Sequence, residues 1–398
     1  MDAGLRRGAA APVPSLESTP GLVDLIRAEI RTAGPITFAR YMELALYAPD
    51  LGYYTSTAVR AGREGDFLTA PETHPIFGAA VARQVADAWR RLGEPSVFAI
   101  REYGAGRGAL AEAVVTALAA DEPGLAAGLR YEAVEIAPHG RSRLEERLLA
   151  AAPDLPLRAL DPAAAAVSPP ADEGVVLANE YVDALPVHRV EQGPDGLREV
   201  FVDWRDERFA EVLAAPSGPA LAERLAVEGI ALEPGQRAEI ATGLDAWAAD
   251  VARWLRRGVA IVIDYGYPAA ELYGPRRRAG TLLGYVGHRA VADPYVAVGR
   301  QDLTAHVDFT AVERAMAGAG LAPLGLTTQS RFLVALGLED LLERARSDPG
   351  LTLVAWLALR SGVVRLLDPR HTGAFRVLAA GRGLGGEPQL LGMRPSGP

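Results

Sequence analysis

Short runs of consecutive apolar residues alternate along this chain with longer stretches in which apolar residues recur every three or four positions. The first pattern reads as buried strands, the second as helices with one inward face. Leu22, Leu25, Ile26 and Ile30 form a helical stripe that opens at Thr19-Pro20 and closes at Gly34. Thr37 is placed to cap a second helix, with Phe38, Tyr41, Leu44 and Ala45 on one face. A third opens at Pro75 and runs to about Leu92, with Ile76, Phe77, Ala80, Val81 and Val85 inward. Residues 47–54, Y-A-P-D-L-G-Y-Y, read as a turn rich in aromatics. Beyond residue 95 the strand-like runs are 97–102, 131–136, 155–160, 175–177, 259–263, 321–328 and 375–379, with helical patterns at 109–120, 138–150 and 310–318. Residues 187–192 and 197–204 alternate around Gly193-Pro194-Asp195-Gly196, which predicts a hairpin. Residues 161–173 read as a Pro/Ala-rich loop, and 205–257 as a mostly helical insertion with little strand signal. Residues 280–288 and 301–309 flank an irregular loop.

Strands that end in polar residues and alternate with helices indicate an open α/β sheet, whose ligands sit beyond the carboxyl ends of the strands. Glu102, Glu135, Asn179-Glu180 and Asp264 all fall at such ends, which argues for one shared site. The expected organisation is a disordered tail (1–18), an N-terminal helical region with a covering loop (19–95), a first part of the core (96–204), an inserted lobe (205–257) and the remainder of the core (258–398).

The most informative run is S-V-F-A-I-R-E-Y-G-A-G-R-G-A-L, residues 96–110: strand, glycine turn, helix. Such a unit cradles a nucleotide or nucleoside. A dinucleotide turn is spaced G-x-G-x-x-G, whereas Gly104, Gly106 and Gly108 follow G-x-G-x-G, with Glu102 two residues ahead of the first glycine. That arrangement suits S-adenosylmethionine (SAM), whose ammonium seeks a carboxylate and whose carboxylate seeks backbone N–H groups. A dinucleotide and a purely structural turn remain alternatives at this point. Glu135, about 30 residues on, is near the distance expected for an acid on a ribose; a solvated strand end is the alternative.

Composition narrows the function classes. The 398 residues carry a net charge of −9, against general nucleic-acid affinity and against an anionic membrane surface. With no cysteine there is no disulfide, thiolate metal site or Cys nucleophile, and six His without an H-x-x-x-H pair offer no dedicated zinc site. No apolar stretch reaches spanning length. The expected location is cytoplasmic, with an organelle left open. An N-terminal helical arm with exposed aromatics leaves room for a homodimer.

The chain resembles the MidA-like methyltransferases over roughly residues 21–337. The matching stretches are G-D-F-L-T-A-P-E-T-H-P-I-F-G (65–78), E-Y-G-A-G-R-G-A-L (102–110), A-N-E-Y-V-D-A-L-P-V-H (178–188), I-D-Y-G (263–266), G-T-L-L-G-Y (280–285) and D-L-T-A-H-V-D-F (302–309). That family includes a mitochondrial complex I assembly factor that symmetrically dimethylates an arginine. The resemblance implies a Rossmann-like, class I SAM-dependent core with a helical N-terminal part and an inserted substrate-side lobe. It implies that Asp66, Thr69 and Glu72 sit in a loop over the cofactor. Glu102, Gly104 and Gly106 are expected at the methionine end, Glu135 at the ribose, and Asn179 beside them. Glu180, Asp183 and His306 are the expected catalytic residues, and no metal is required. Glu180 and Asp183 suit an arginine acceptor, because paired carboxylates hold a guanidinium flat and localise its charge; Asp183 as a helix cap, and His306 as a packed structural residue, are the alternatives. Leu283-Gly284 stands where members often carry an Arg and another polar or small residue. A protein or peptide acceptor is therefore carried beside a small-molecule acceptor and a non-catalytic assembly role.

Overall fold

Seven apolar runs pair into one sheet in the computed structural model, which describes residues 16–56, 70–287, 289–385 and 389–395. The strands are β1 (Phe98–Tyr103), β2 (Leu129–Val134), β3 (Leu157–Leu160), β4 (Ala171–Asn179), β5 (Leu255–Asp264), β6 (Ala322–Thr328) and β7 (Arg376–Arg382). Their order is β6-β7-β5-β4-β1-β2-β3, with β7 antiparallel to both neighbours and the other pairs parallel. Chain order reverses between β4 and β1, the position at which open α/β sheets bind ligands. Register aligns Tyr103 with Val134 and with Ala178, and Asn179 with Ile263, so the carboxyl ends of four strands lie level within two residues.

Both faces of the sheet are covered, as its unbroken apolar strands require. Helices Ile76–Arg91, Ala109–Asp121 and Pro138–Ala151 pack one face around Phe98, Ile100, Val175 and Ile261. Helices Leu244–Trp254 and Phe309–Gly318 pack the other around Val176, Ala260 and Leu378. On this second face Arg101, 0% exposed, stands among apolar neighbours. Its guanidinium donates to Glu132 at 2.6 Å and to Ser168, and lies 4.4 Å from the Trp254 ring centroid. A buried cation needs all of these partners to offset its lost hydration.

A second sheet of five strands holds Ile36–Thr37, His188–Gly193, Gly196–Arg205, Arg208–Ala214 and Arg237–Ile240. The hairpin and both N-terminal helices form as the pattern predicts, with Thr37 accepting from the Arg40 N–H. The helices pack on this lobe through Phe38, Tyr41, Met42, Val202 and Phe209.

Several expectations need correction. Residues 205–257 contain two strands, and the helix Leu244–Trp254 belongs to the core; the lobe sheet instead recruits 188–205. The strand signal was weak because Arg208–Ala214 is half-exposed and carries charge, while Arg237–Ile240 has only four residues. The loop 161–173 contains a short helix, Pro162–Ala166, capped by Asp161, and β4 begins at Ala171. The runs 280–288 and 301–309 supply the strands Leu283–Val286 and Asp302–Thr304, and the loop between them, expected to be irregular, adds a third, Arg289–Val291, to make a three-stranded sheet. Leu16–Ser18, expected in a disordered tail, are tied down: Leu16 O and Ser18 Oγ accept the N–H groups of Ala297 and Val298, both at 3.0 Å.

Replacing Arg101 by Ala empties a fully buried site and leaves Glu132 with Arg158 as its remaining cationic partner. Denaturant unfolding is expected to show a loss of about 3–5 kcal/mol, and a loss below about 1 kcal/mol would show that the pair carries little of the fold's stability.

Candidate active site

The turn after β1 brings three left-handed glycines together: Gly104 (φ 68), Gly106 (φ 54) and Gly108 (φ 79). A Cβ on Gly104 would meet the Tyr181 ring at 2.9 Å, whereas nothing lies within 4 Å of the Cβ position on Gly106, which faces open space. The turn therefore needs glycine for conformation, and at Gly104 for closeness too. It borders a cavity of about 750 Å³ that spans the ends of β1, β2 and β4. Glu102, Gly104, Gly106, Glu135, Asn179, Glu180, Asp183 and Glu72 all line this cavity. Asp66 and Thr69 lie outside the described residues.

At the cradle end, Glu135 lies just past β2 and accepts the Gly106 and Ala137 N–H groups, both at 2.8 Å. It thus joins the glycine turn to the start of helix Pro138–Ala151. Burial raises its pKa, and these backbone donors oppose the rise. Glu102 accepts the Tyr131 hydroxyl at 2.6 Å. Burial pushes its carboxyl up to about 8, against that hydrogen bond and with the Glu135 charge adding to the rise. The Asn179 Oδ1 is buried with no hydrogen-bond partner among the described residues.

At the other end, Glu180 adopts φ 50, a conformation uncommon for a side chain with a Cβ. Its N–H is bound to the Ile263 carbonyl at 2.8 Å, which fixes the reversal as β4 ends. Its carboxylate accepts from the Ala70 N–H at 3.1 Å and from Asn179 at 3.2 Å, and burial pushes it up to about 8. Asp183 lies in the short helical turn Val182–Ala184, where its Oδ2 accepts the Tyr265 hydroxyl at 2.6 Å. Its Oδ1 is buried without a hydrogen-bond partner among the described residues, and burial holds the group at about 6 against the Tyr265 bond. Beneath both, the fully buried Asp264 accepts the N–H groups of Val182 (2.9 Å), Asp183 (3.2 Å) and Tyr265 (2.9 Å). Burial and the charges of Asp183 and Glu180 push Asp264 well above the usual carboxylate range.

His306 is not brought to this cavity. Its N–H binds Thr281 Oγ1 at 3.1 Å and its ring lies between Tyr265 and Tyr267, bordering a separate small void. Burial and Arg277 lower its pKa to about 4, so the ring is neutral. Asp308 caps helix Phe309–Gly318 by accepting from Thr310 and Ala311. The cavity also takes in residues to which the sequence reading gave no role: Tyr47, Tyr54, Asp302 and Thr304. The aromatics of 47–54 and the D-L-T stretch were visible, but nothing local linked them to the glycine turn more than fifty residues away.

Residues 80–327 match the family model described as "Putative S-adenosyl-L-methionine-dependent methyltransferase". The chain belongs to this family. It is a MidA-like, SAM-dependent methyltransferase. Among its relatives, the mitochondrial protein arginine methyltransferase NDUFAF7 homolog of Drosophila melanogaster is 31% identical, over 90% of this chain and 84% of the relative. The mouse protein arginine methyltransferase NDUFAF7 is 30% identical, over 91% of this chain and 84% of its own length. A crystal structure from Burkholderia thailandensis, bound to S-adenosyl-homocysteine, matches with TM-score 0.85 and 38% identity over 96% of this chain and 97% of that one.

The methyltransferase's own residues fit its cofactor. The open space over Gly106, the Asn179 amide oxygen without a partner among the described residues and the carboxyls of Glu102 and Glu135 make a set of acceptors suited to an ammonium and to ribose hydroxyls.

Glu102, Glu180 and Asp183 hold their protons more tightly in the folded than in the unfolded chain. The folded state therefore binds more protons from about pH 4 to pH 8, and stability falls as pH rises through that window. Glu102→Gln removes one such group while keeping an acceptor for Tyr131. The ligand-free variant should lose about 1.4 kcal/mol per pH unit less than the parent between pH 6 and 8. Denaturant titrations at several pH values giving equal slopes would refute the assignment.

Proposed function

We propose that this methyltransferase transfers the methyl group to a nitrogen of an arginine side chain in a protein or peptide. The observation that carries the reading is the pairing of two carboxyls, Glu180 and Asp183, at one end of the cavity, with Asp183 Oδ1 buried and unpartnered. The names of the mitochondrial relatives, protein arginine methyltransferases, support it.

When bound, the cofactor supplies an electrophilic methyl on a sulfonium. In this reading Glu102 and Asn179 hold its methionyl ammonium, the glycine turn its carboxylate, and Glu135 its ribose. Glu72 lies on the covering side. Glu180 and Asp183 bind the guanidinium, whose positive charge brings both carboxyls toward their ionised forms. Tyr265 fixes Asp183 by occupying Oδ2. That leaves Oδ1 to take the proton that the attacking nitrogen gives up as the N–C bond forms and the methyl–sulfur bond breaks, its electron pair staying with sulfur. Orientation and proton acceptance are the contributions asked of the protein.

Two measurements test this. Calorimetric titration with S-adenosylhomocysteine is expected to show binding to the parent and at least a hundredfold loss in Glu102→Ala and in Gly106→Val, where a branched side chain enters the cavity from a left-handed position. Retained affinity in both would place the cofactor elsewhere. Separately, radiolabelled SAM with arginine peptides should yield methylarginine by mass spectrometry. Glu180→Gln and Asp183→Asn should each lower kcat by at least a hundredfold with cofactor affinity within threefold of the parent. The kcat/KM of the parent should fall as pH drops from about 8 to about 6, as Glu180 and then Asp183 take protons in the free protein. Label appearing only on small molecules would point to a different acceptor class.

A further inference from the structure

Three successive residues, Ala305, His306 and Val307, each meet the pair formed by Asp183 and Tyr265. The Ala305 N–H binds the Asp183 carbonyl at 3.1 Å, and the Val307 N–H binds the Tyr265 carbonyl at 3.0 Å. Between them the His306 ring stands edge-on to the Tyr265 ring, with centroids 5.3 Å apart and planes at 86°. The Phe375 ring also packs on Tyr265, at 5.5 Å, and Tyr267 packs on His306, at 5.6 Å. The Arg277 guanidinium in turn lies 3.7 Å from the Tyr267 ring centroid. Backbone fixes His306 as well. Its N–H binds Thr281 Oγ1 at 3.1 Å, and Thr281 gives both its N–H and its hydroxyl to Glu239, at 2.7 and 3.1 Å.

The His306 ring itself makes no hydrogen bond among the described residues, and its Nδ1 is buried there without a partner. A neutral imidazole that bonds to nothing acts through its shape. What it holds is the Tyr265 ring. A tyrosine hydroxyl stands at the far end of its ring, so a modest swing about χ1 or χ2 carries it out of hydrogen-bond reach of Asp183. Ring contacts with His306 and Phe375 oppose that swing. If the hydroxyl leaves, Asp183 loses the hydrogen bond that holds its pKa down against burial, and Oδ2 competes with Oδ1 for the acceptor. Other groups also face Asp183. Glu180 and Asp264 share its end of the sheet, Tyr47, Tyr54 and Tyr285 feel its charge from other elements, and Asp302 lines the same cavity. Among the described residues, Tyr265 is the group facing Asp183 that is in ring contact with His306.

We propose that His306 is a positioning residue, whose ring holds the Tyr265 hydroxyl on Asp183 Oδ2 and so leaves Oδ1 for the acceptor. This rests on the assignment of Asp183 as proton acceptor and adds to it the residue that holds Asp183 ready. A histidine acting by proton transfer needs a ring nitrogen at the reacting atoms; this one needs a flat ring of that size at that place. Its loss therefore falls on kcat and on the pH profile, and a ring without nitrogen replaces it.

The test uses the full chain and the variants His306→Phe, His306→Ala, Tyr265→Phe and the double variant His306→Ala/Tyr265→Phe, with radiolabelled SAM and the peptide Gly-Arg-Gly. His306→Phe keeps a flat ring and should stay within threefold of the parent in kcat and KM, with the parent's pH profile. His306→Ala should lower kcat at least tenfold with S-adenosylhomocysteine affinity within threefold. It should also move the lower step of the kcat/KM profile, that of Asp183, up by at least half a pH unit. Tyr265→Phe should do the same, and the double variant should do no more than Tyr265→Phe alone. His306→Leu, which fills the space without a flat ring, serves where the alanine variant loses its fold. Asp183 is also read without turnover, by carbon-13 NMR titration of its carboxyl, assigned through Asp183→Asn. The midpoint should rise in His306→Ala and Tyr265→Phe and stay at the parent's value in His306→Phe. A His306→Phe variant as impaired as His306→Ala, with cofactor affinity intact, would show that a ring nitrogen is needed and would overturn the proposal. So would a His306→Ala variant with the parent's profile and carboxyl titration. A parent that makes no methylarginine, with the carboxyl titrations as expected, would overturn the arginine reading and leave the positioning role standing.

Discussion

One buried carboxylate, Asp264, holds the working end of this methyltransferase together. It sits at the end of β5 and accepts three backbone N–H groups from two different chain reversals. Turns that leave a sheet must satisfy their N–H groups without a neighbouring strand, and one carboxylate with several lone pairs does this in little space. The consequence is positional. The Val182–Ala184 turn and Tyr265 are fixed relative to each other, so the Tyr265 hydroxyl reaches Asp183 at 2.6 Å. Glu180 is fixed by the same strand end, through the Ile263 carbonyl.

This arrangement packs three carboxyls where water is scarce. Burial raises the pKa of all three, and the charge of neighbouring carboxylates adds to the rise at Glu180 and at Asp264. Such a cluster costs stability in the ligand-free protein, in keeping with the trade between folding and function at working sites. The strained φ of Glu180 belongs to the same account.

The cavity is a composite. Its floor is the core sheet, from the glycine turn and the ends of β1, β2 and β4. One wall comes from the N-terminal arm through Tyr47 and Tyr54, and another from the small sheet through Asp302 and Thr304. The arm packs chiefly on the lobe, through the cluster around Tyr41 and Phe209. The lobe therefore acts as the support that presents the arm's tyrosines to the core.

Local chemistry made the cradle legible. A strand, three left-handed glycines and the start of a helix fall within the run 96–110, and their conformations follow from having no Cβ or from buried periodicity. The parallel sheet was legible for the same reason, since buried strands read as unbroken apolar runs such as Val259 to Ile263. The family stretches identified the class of enzyme from residue identity alone. The lobe was not legible, because Arg208–Ala214 is half-exposed and charged and so lacks the apolar run that marks a strand, although it pairs with its sequence neighbour Gly196–Arg205 across the turn at Asp206-Glu207. Nor was the place of His306, whose residue type suggested chemistry but whose ring is enclosed by Tyr265 and Tyr267. The union of Asp302 with Tyr54, 248 positions apart in sequence, was decided by tertiary structure alone. Turns and strands are set by near neighbours; a binding wall is set by whichever segments the packed core brings to the same edge.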